Sequence, residues 1–131
     1  MNLFLAIKQK YADAILDGKK TAELRRVAPR LLDPGSIIFL VVKQQIVGHV
    51  ELDRLTPAPA EGLPRREWES YISTLADISR SAVTTYLSGA RQPCAMHLRC
   101  PVRYQAPLPG PGYIVQSFSY TTQEPAPLRQ S

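Results

Sequence analysis

Residues 18–25 read Gly-Lys-Lys-Thr-Ala-Glu-Leu-Arg and set a hydroxyl, a carboxylate and cations at short, regular spacing. In an extended segment Thr21, Glu23 and Arg25 lie on one face, about 7 Å apart at each step. Such a set can bind a nucleotide, with cations on phosphate and Glu23 accepting from a base amine or a ribose hydroxyl. It can equally be catalytic, with Glu23 as general base and Lys20 stabilising an oxyanion. The third interpretation is that Glu23 only forms an ion pair with a neighbouring arginine on a sheet face.

Further candidates lie before this motif and in the last third of the chain. Lys8 and Tyr11 either extend a basic cleft or form its solvated flank. His97 and Arg99 share one face of a predicted strand, although a lone histidine on a strand is more often structural. Ser117 in the closing strand either supplies a hydroxyl group to a ligand or belongs to ordinary strand packing.

The formal charge of +5 is unevenly distributed over the 131 residues. Residues 1–30 carry seven Lys or Arg against three Asp or Glu, residues 31–90 five against seven, and residues 91–131 four against one. Both ends of the chain are therefore basic. If they meet in the fold, they form one positive face suited to phosphates, and the alternative is scattered, solvated charge.

The cysteine content and the lengths of the apolar runs limit the classes of protein to which this sequence can belong. Cys94 and Cys100 lack the paired Cys/His spacing of a zinc site and the density of a disulfide scaffold. We therefore expect reduced thiols, a cytoplasmic protein, and neither a metal nor a cofactor. The N-terminus lacks a signal-peptide pattern, and the longest apolar run, residues 37–42, is too short to cross a bilayer. No membrane partner is expected, while protein partners and the oligomeric state stay open.

The elements that must position these residues show mixed periodicity. Strands are predicted over residues 2–8, 20–27, 36–42, 45–57, 94–104 and 113–121, and helices over residues 10–18, 65–73 and 77–89. A tight connection is expected between Lys43 and Gln45. Trp68 and Tyr71, three apart in a helical pattern, are expected in the core. Asp77 or Ser79 is expected to cap the last helix.

Residues 18–25 also fit the pattern GxKxxExR, which resembles the signature of the ASCH domain family in the PUA-like superfamily. The segments AIKQKYADAILDG, IVGHVEL, ISRSAVTTYLSG and QSFSY resemble further family segments in the same order. The resemblance implies an α+β fold, a PUA-like β-barrel of about five to six strands flanked by helices. It implies an ASCH domain over residues 1–122 and a flexible C-terminal tail over residues 123–131. It also implies that the motif lines the ligand cleft.

The function that the resemblance implies is binding of RNA, or of a nucleotide or nucleoside, through a basic cleft containing Gly18, Lys20, Glu23 and Arg25. The alternative is a small metal-independent amidohydrolase or ribonuclease. The family's hydrolases of acetylated cytidine use a lysine, a threonine three residues later as nucleophile, and a glutamate on a late strand. Position by position, Lys20 matches the lysine, Glu23 stands where the threonine would be, and His97 falls near the glutamate. Because the nucleophilic threonine is replaced, we expect binding ahead of catalysis.

Overall fold

The computed structural model of the protein describes residues 1–112 and 118–125, so Ser117 and the greater part of the predicted tail lie outside the described residues. In chain order the elements are β1 (Asn2–Ala6), α1 (Gln9–Leu16), β2 (Ala22–Arg25), β3 (Ile37–Val42), β4 (Gln45–Pro57), α2 (Arg65–Ala76), α3 (Arg80–Leu87), β5 (Cys94–Pro109) and β6 (Phe118–Thr121). This order of strands and helices agrees with the sequence prediction.

One mixed sheet contains all six strands in the order β2-β5-β4-β3-β1-β6. β1 pairs in parallel with β3, and the other neighbouring strands are antiparallel. β2 and β1 are not neighbours in this order, yet the Arg25 Nη2 atom donates to the Ala6 carbonyl at 3.2 Å. The sheet therefore curls into a half-barrel with an open seam between β2 and β1. This is the predicted α+β, PUA-like architecture.

Hydrophobic clusters cover both sides of the sheet, and two of them pack the helices against it. The first packs α1 against the inner strands and includes Leu3, Leu5, Ile15, Leu40 and Met96. The second packs α2 and α3 against β2 and β5 and includes Ala22, Leu24, Trp68, Ile72 and Val83. Because side chains alternate along a strand, β2 buries alternate residues in the second cluster and turns the residues between them to the other face.

Helix α2 buries Trp68, Ile72 and Ala76, which follow one another at four-residue steps. Tyr71 lies beside this stripe and is 48% exposed, so the expectation that it belongs to the core was wrong. Ser79 caps α3, as its hydroxyl oxygen accepts from the Ala82 N–H at 3.1 Å. Within the described residues, no helix is long and apolar enough to cross a membrane.

Gly48 of β4 faces Leu16 of α1. A Cβ atom there would be 2.5 Å from the Val102 carbonyl oxygen and 2.8 Å from the Leu16 Cδ2 atom. These separations are shorter than van der Waals contact, so only glycine fits. Gly48 thereby fixes the position of α1 on the sheet.

Candidate functional site

A cavity of about 860 Å³ lies at the open seam of the half-barrel. Its walls come from the end of β1 and the start of α1, from β2, from the β3–β4 turn, and from α3 with the residues before it. The lining residues are Ala6, Ile7, Lys8, Gln9, Tyr11, Lys20, Glu23, Leu24, Arg25, Val42, Lys43, Ile78, Ala82 and Tyr86. This volume falls in the range of small-molecule sites, about 300–1,000 Å³.

Glu23 is the carboxylate of the cavity, and its orientation follows from the register of β2 on β5. Glu23 pairs with Met96, so both side chains lie on the face opposite α2 and α3. The Glu23 Oε1 atom lies 3.3 Å from the Lys20 Nζ atom, and the Oε2 atom lies 3.6 Å from the Arg25 Nε atom. A cation therefore faces each oxygen of this buried carboxylate.

Lys20 is buried, with 4% of its surface exposed, at the entry to β2. Its ammonium donates to the Ala76 carbonyl at 2.7 Å, at the C-terminal end of α2, where a cation is favoured by the helix dipole. The same ammonium lies 5.6 Å from the centre of the Tyr11 ring. Lys20 thus ties α2 to β2 and holds Glu23 in place, which makes it a positioning residue.

Arg25 joins β2 to β1 across the seam through its hydrogen bond to the Ala6 carbonyl. Its Nε atom is buried and has no hydrogen-bond partner among the described residues; it lies 3.6 Å from the Glu23 Oε2 atom. A buried donor without an acceptor costs about 1–3 kcal/mol. A small movement of the carboxylate toward Arg25 would satisfy this donor, so Glu23 has a cationic partner on either side.

Two exposed lysines, Lys8 and Lys43, complete the charged lining. Among the described residues, the lining holds four cations and one carboxylate, a balance of +3. Tyr11 and Tyr86 add two aromatic rings from opposite sides, one from α1 and one from α3. The cavity therefore combines a positive field with aromatic surface.

The N-terminus of α1 also faces the cavity, because residues 7–9 line it. Lys8 is the N-cap residue, and its side chain makes no capping hydrogen bond. The positive end of the helix dipole and the free N–H groups of a helix's first turn favour an anion at this position. An anionic group of a ligand would meet both the Lys8 ammonium and this helix end.

The structure brings five predicted site residues to the cavity, namely Lys8, Tyr11, Lys20, Glu23 and Arg25. Thr21 does not line it: its side chain is exposed, while its N–H donates to the Leu75 carbonyl and its carbonyl accepts from the Leu98 N–H. The expected face shared by Thr21, Glu23 and Arg25 is therefore reduced to the last two. Gly18 does not line the cavity either: it directly follows the C-cap of α1, with φ of +78°, a conformation that favours glycine.

His97 and Arg99 lie away from the cavity. His97 pairs with Ala22, so it lies on the face opposite Glu23, where its Nε2 atom is 3.1 Å from the Thr56 hydroxyl. Burial lowers the pKa of His97 below its ordinary value of 6.5. Arg99 forms ion pairs with Glu51 and Asp53 at 3.1 and 3.3 Å. Neither residue takes part in the site described above.

The thiols and the acidic residues offer little metal-binding chemistry. Both cysteines are free, Cys94 buried and Cys100 exposed. Burial raises the pKa of the Cys94 thiol to about 11, which keeps it protonated at neutral pH. Within residues 1–112 and 118–125, no group of three or more His, Cys, Asp or Glu side chains is arranged to hold a metal ion.

Two functional groups of the cavity were not identified from the sequence. The sequence predicts only that Lys43 belongs to a tight turn and that Tyr86 belongs to a helix. The sequence signal for Tyr86 is its spacing from Ala82, because residues four apart share one face of a helix. This face of α3 lies beside the face that buries Val83 and Leu87. Nothing in the local sequence relates Lys43 to this helix.

The half-barrel and its seam cavity define a class of protein: an α+β domain with a positively charged pocket where the sheet fails to close. A family model described as "ASCH domain" matches residues 5–94, and the chain belongs to this family. The matched residues include the entire lining of the cavity.

The solved structures that resemble this protein include ASCH proteins. The protein is similar to ASCH from Zymomonas mobilis, with 22% identity and a TM-score of 0.71, covering 92% of this chain and 87% of that chain. A tyrosine-to-phenylalanine variant and a serine-to-alanine variant of that protein give the same TM-score at 21% and 20% identity, covering 92% of this chain and 89% and 87% of theirs. No curated protein matches the chain. At this level of identity the likeness concerns the fold.

Proposed function

We propose that the protein binds RNA, or a nucleotide unit of it, in the seam cavity. The observation that carries this proposal is the balance of four cations against one carboxylate around a space of about 860 Å³ that also contains two tyrosine rings. A nucleotide combines a phosphate, a polar base edge and a flat aromatic face. The cavity offers a complementary group for each of these.

The three parts of a nucleotide have different partners in this cavity. Lys8, Lys43 and the N-terminus of α1 attract the phosphate. Glu23 accepts a hydrogen bond from an amino group of the base, because a carboxylate is an acceptor only. Tyr11 or Tyr86 stacks on the base, an interaction worth about 1–3 kcal/mol.

Binding is better supported than hydrolysis. Among the described lining residues there is no Ser, Thr or Cys to serve as an aliphatic hydroxyl or thiol nucleophile, and no His to serve as its base. Both oxygens of Glu23 face cations, at 3.3 and 3.6 Å, which leaves this carboxylate poorly placed to activate a water molecule. These contacts suit a fixed recognition group.

The experiment is a titration of a fluorescently labelled single-stranded oligoribonucleotide with the full chain, followed by anisotropy at several salt concentrations. Binding should weaken with salt, with a slope of about −0.7 per neutralised phosphate on a double-logarithmic plot. Lys8→Ala should weaken binding. The matched control is Lys19→Ala, an exposed lysine close in sequence that does not line the cavity. A flat salt response, or equal effects of the two variants, would contradict the proposal.

The hydrolase alternative has its own test. Acetylated nucleosides and single-stranded RNA are incubated with the protein at high concentration, and the products are separated by chromatography. Turnover that disappears in both Lys20→Ala and Glu23→Ala would favour hydrolysis. Intact substrates, together with salt-dependent binding of the same RNA, would leave binding as the function.

A further inference from the structure

A second, smaller cavity of about 260 Å³ adjoins the first. It is lined by Gln9, Val42, Lys43, Gln45, Val47, Arg103, Tyr104 and Pro107. Three of these residues, Gln9, Val42 and Lys43, also line the larger cavity. The two cavities therefore meet at the start of α1 and the β3–β4 turn.

The size of the second cavity limits what it can hold. Sites for whole small molecules occupy about 300–1,000 Å³, and this cavity lies below that range. It is too small for a complete nucleotide and suits one flat ring. We therefore expect it to hold one part of a ligand whose remaining part fills the larger cavity.

The lining of the second cavity suits a nucleobase. Val42, Val47 and Pro107 give it apolar surface, and Tyr104 adds an aromatic ring. The Tyr104 hydroxyl is hydrogen-bonded to the His49 Nδ1 atom at 2.7 Å, which fixes the position of the ring.

Two side-chain amides, those of Gln9 and Gln45, line the second cavity, and the Gln9 amide also donates to the Asp13 carboxylate at 3.2 Å. A nucleobase edge presents donors and acceptors together, and amides can pair with both. Gln9 also lines the larger cavity, whereas Gln45 lines only the smaller one. Gln45 is therefore the residue that can report on the second cavity alone.

Charge at the junction comes from Lys43. Arg103 is committed elsewhere, because its guanidinium forms ion pairs with Asp13 at 3.0 Å and Asp17 at 2.8 Å. Lys43 and Gln44 form the two-residue turn between β3 and β4, with φ of 49° and 66°. This left-handed conformation is unfavourable for a residue with a side chain. The turn places the cation Lys43 where the two cavities meet. Glycine at this position would adopt the same backbone conformation without strain.

We propose that the two cavities form one binding groove for two consecutive nucleotides of single-stranded RNA. The first nucleotide occupies the larger cavity, and the base of the next nucleotide occupies the smaller one. The phosphate that links them lies on Lys43. This inference rests on the proposed function, since it names the polymer, rather than a free nucleotide, as the ligand of that site.

The test compares ribonucleoside 5′-monophosphates with 5′-phosphorylated dinucleotides, which share the phosphate of the first nucleotide, by isothermal titration calorimetry of the full chain. The second base should tighten binding about tenfold, as expected for one stacked base. Gln45→Ala should remove most of this gain and leave the affinity for monophosphates unchanged. Gln105→Ala is the matched control, because Gln105 is exposed on β5 and lines neither cavity. Lys43→Gly, which keeps the backbone of the turn unstrained, should weaken dinucleotide binding.

The outcomes separate this inference from the proposed function. Equal affinity for the two ligand classes, with Lys8→Ala still weakening both, would overturn the two-nucleotide groove and leave nucleotide binding intact. No binding of either class, nor of a longer single-stranded RNA, would overturn both. A tenfold gain that survives Gln45→Ala would place the second base elsewhere and would also overturn the inference.

Discussion

The Lys20 ammonium lies 3.3 Å from the Glu23 carboxylate in an ion pair that is almost completely buried. Lys20 lies at the entry of β2, and Glu23 lies within the strand. Lys20 also donates a hydrogen bond to the Ala76 carbonyl, which connects the ion pair to the last turn of α2. The two most distinctive residues of the motif therefore hold one another at the wall of the cavity.

Removing the carboxylate of this pair should destabilise the fold. Glu23→Ala leaves Lys20 and Arg25 buried without a counter-charge, and breaking a buried pair costs about 3–5 kcal/mol. The free energy of unfolding, measured by urea denaturation, should fall by this amount. Glu61→Ala, at an exposed loop position, is the control and should leave it nearly unchanged. A loss below about 1 kcal/mol, the value typical of surface pairs, would show that the pair is solvated.

Acid should destabilise the protein through its buried histidines. The pKa of His97 is lowered by burial and by Arg54, and the pKa of His49 is lowered by burial. Below their ordinary value of 6.5 the unfolded chain binds more protons than the native state, so stability is full above this pH and decreases as the pH falls. Urea denaturation at neutral and mildly acidic pH should show this loss.

His97→Gln should reduce the acid sensitivity, because glutamine keeps a hydrogen-bonding group near Thr56 but does not titrate. His49→Gln should add to this effect. The carboxylate of Asp13, whose pKa is lowered mainly by its hydrogen bond from Arg103, titrates only below its ordinary value of 3.8 and lies outside this window. An unchanged pH dependence in the double variant would contradict the assignment to the histidines.

The two cysteines should differ in reactivity. The pKa of Cys94 is raised to about 11 by burial, and a thiol reacts as its thiolate. Iodoacetamide at neutral pH should therefore modify the exposed Cys100 and spare Cys94, as seen by peptide mass spectrometry. Cys100→Ser should abolish labelling of the native protein and leave one reactive thiol in urea. Rapid modification of Cys94 in the folded state would show that β5 opens locally.

Gly48→Ala should destabilise the contact between α1 and the sheet. The new methyl group would meet the Val102 carbonyl and the Leu16 side chain, and overpacking of this kind costs about 1–3 kcal/mol. Combining it with Leu16→Ala in a double-mutant cycle should recover part of the loss, because only the side-chain half of the clash is relieved. Strict additivity of the two substitutions would mean that they do not meet in the folded protein.

The order of the elements could be predicted from periodicity and turn residues, but the site could be predicted only in part. Glu23 and Arg25 were identified because their spacing lies within a single strand. The location of His97 depended on the register of β2 on β5, and a shift of one residue turns every side chain to the other face. Glu23 pairs with Met96, and this places the histidine behind the sheet.

The contribution of Lys43 could not be predicted for a different reason. The curl of the sheet brings the β3–β4 turn near α3, and curl depends on the twist of all six strands rather than on any local segment. Among the described residues of the basic C-terminal segment, Arg99 and Arg103 do not add to the positive lining of the cavity. Arg99 and Arg103 instead pair with carboxylates of β4 and α1.

Because β2 pairs with β5, the cavity can form only late in folding. Every lining residue lies between residues 6 and 86, yet β2 is held in the sheet by Cys94–His97, which follow all of them. A nascent chain acquires this wall of the pocket only after β5 has been synthesised and paired. A ligand that fills the pocket therefore recognises the complete domain and stabilises it by mass action, so that a rise in melting temperature would report on binding.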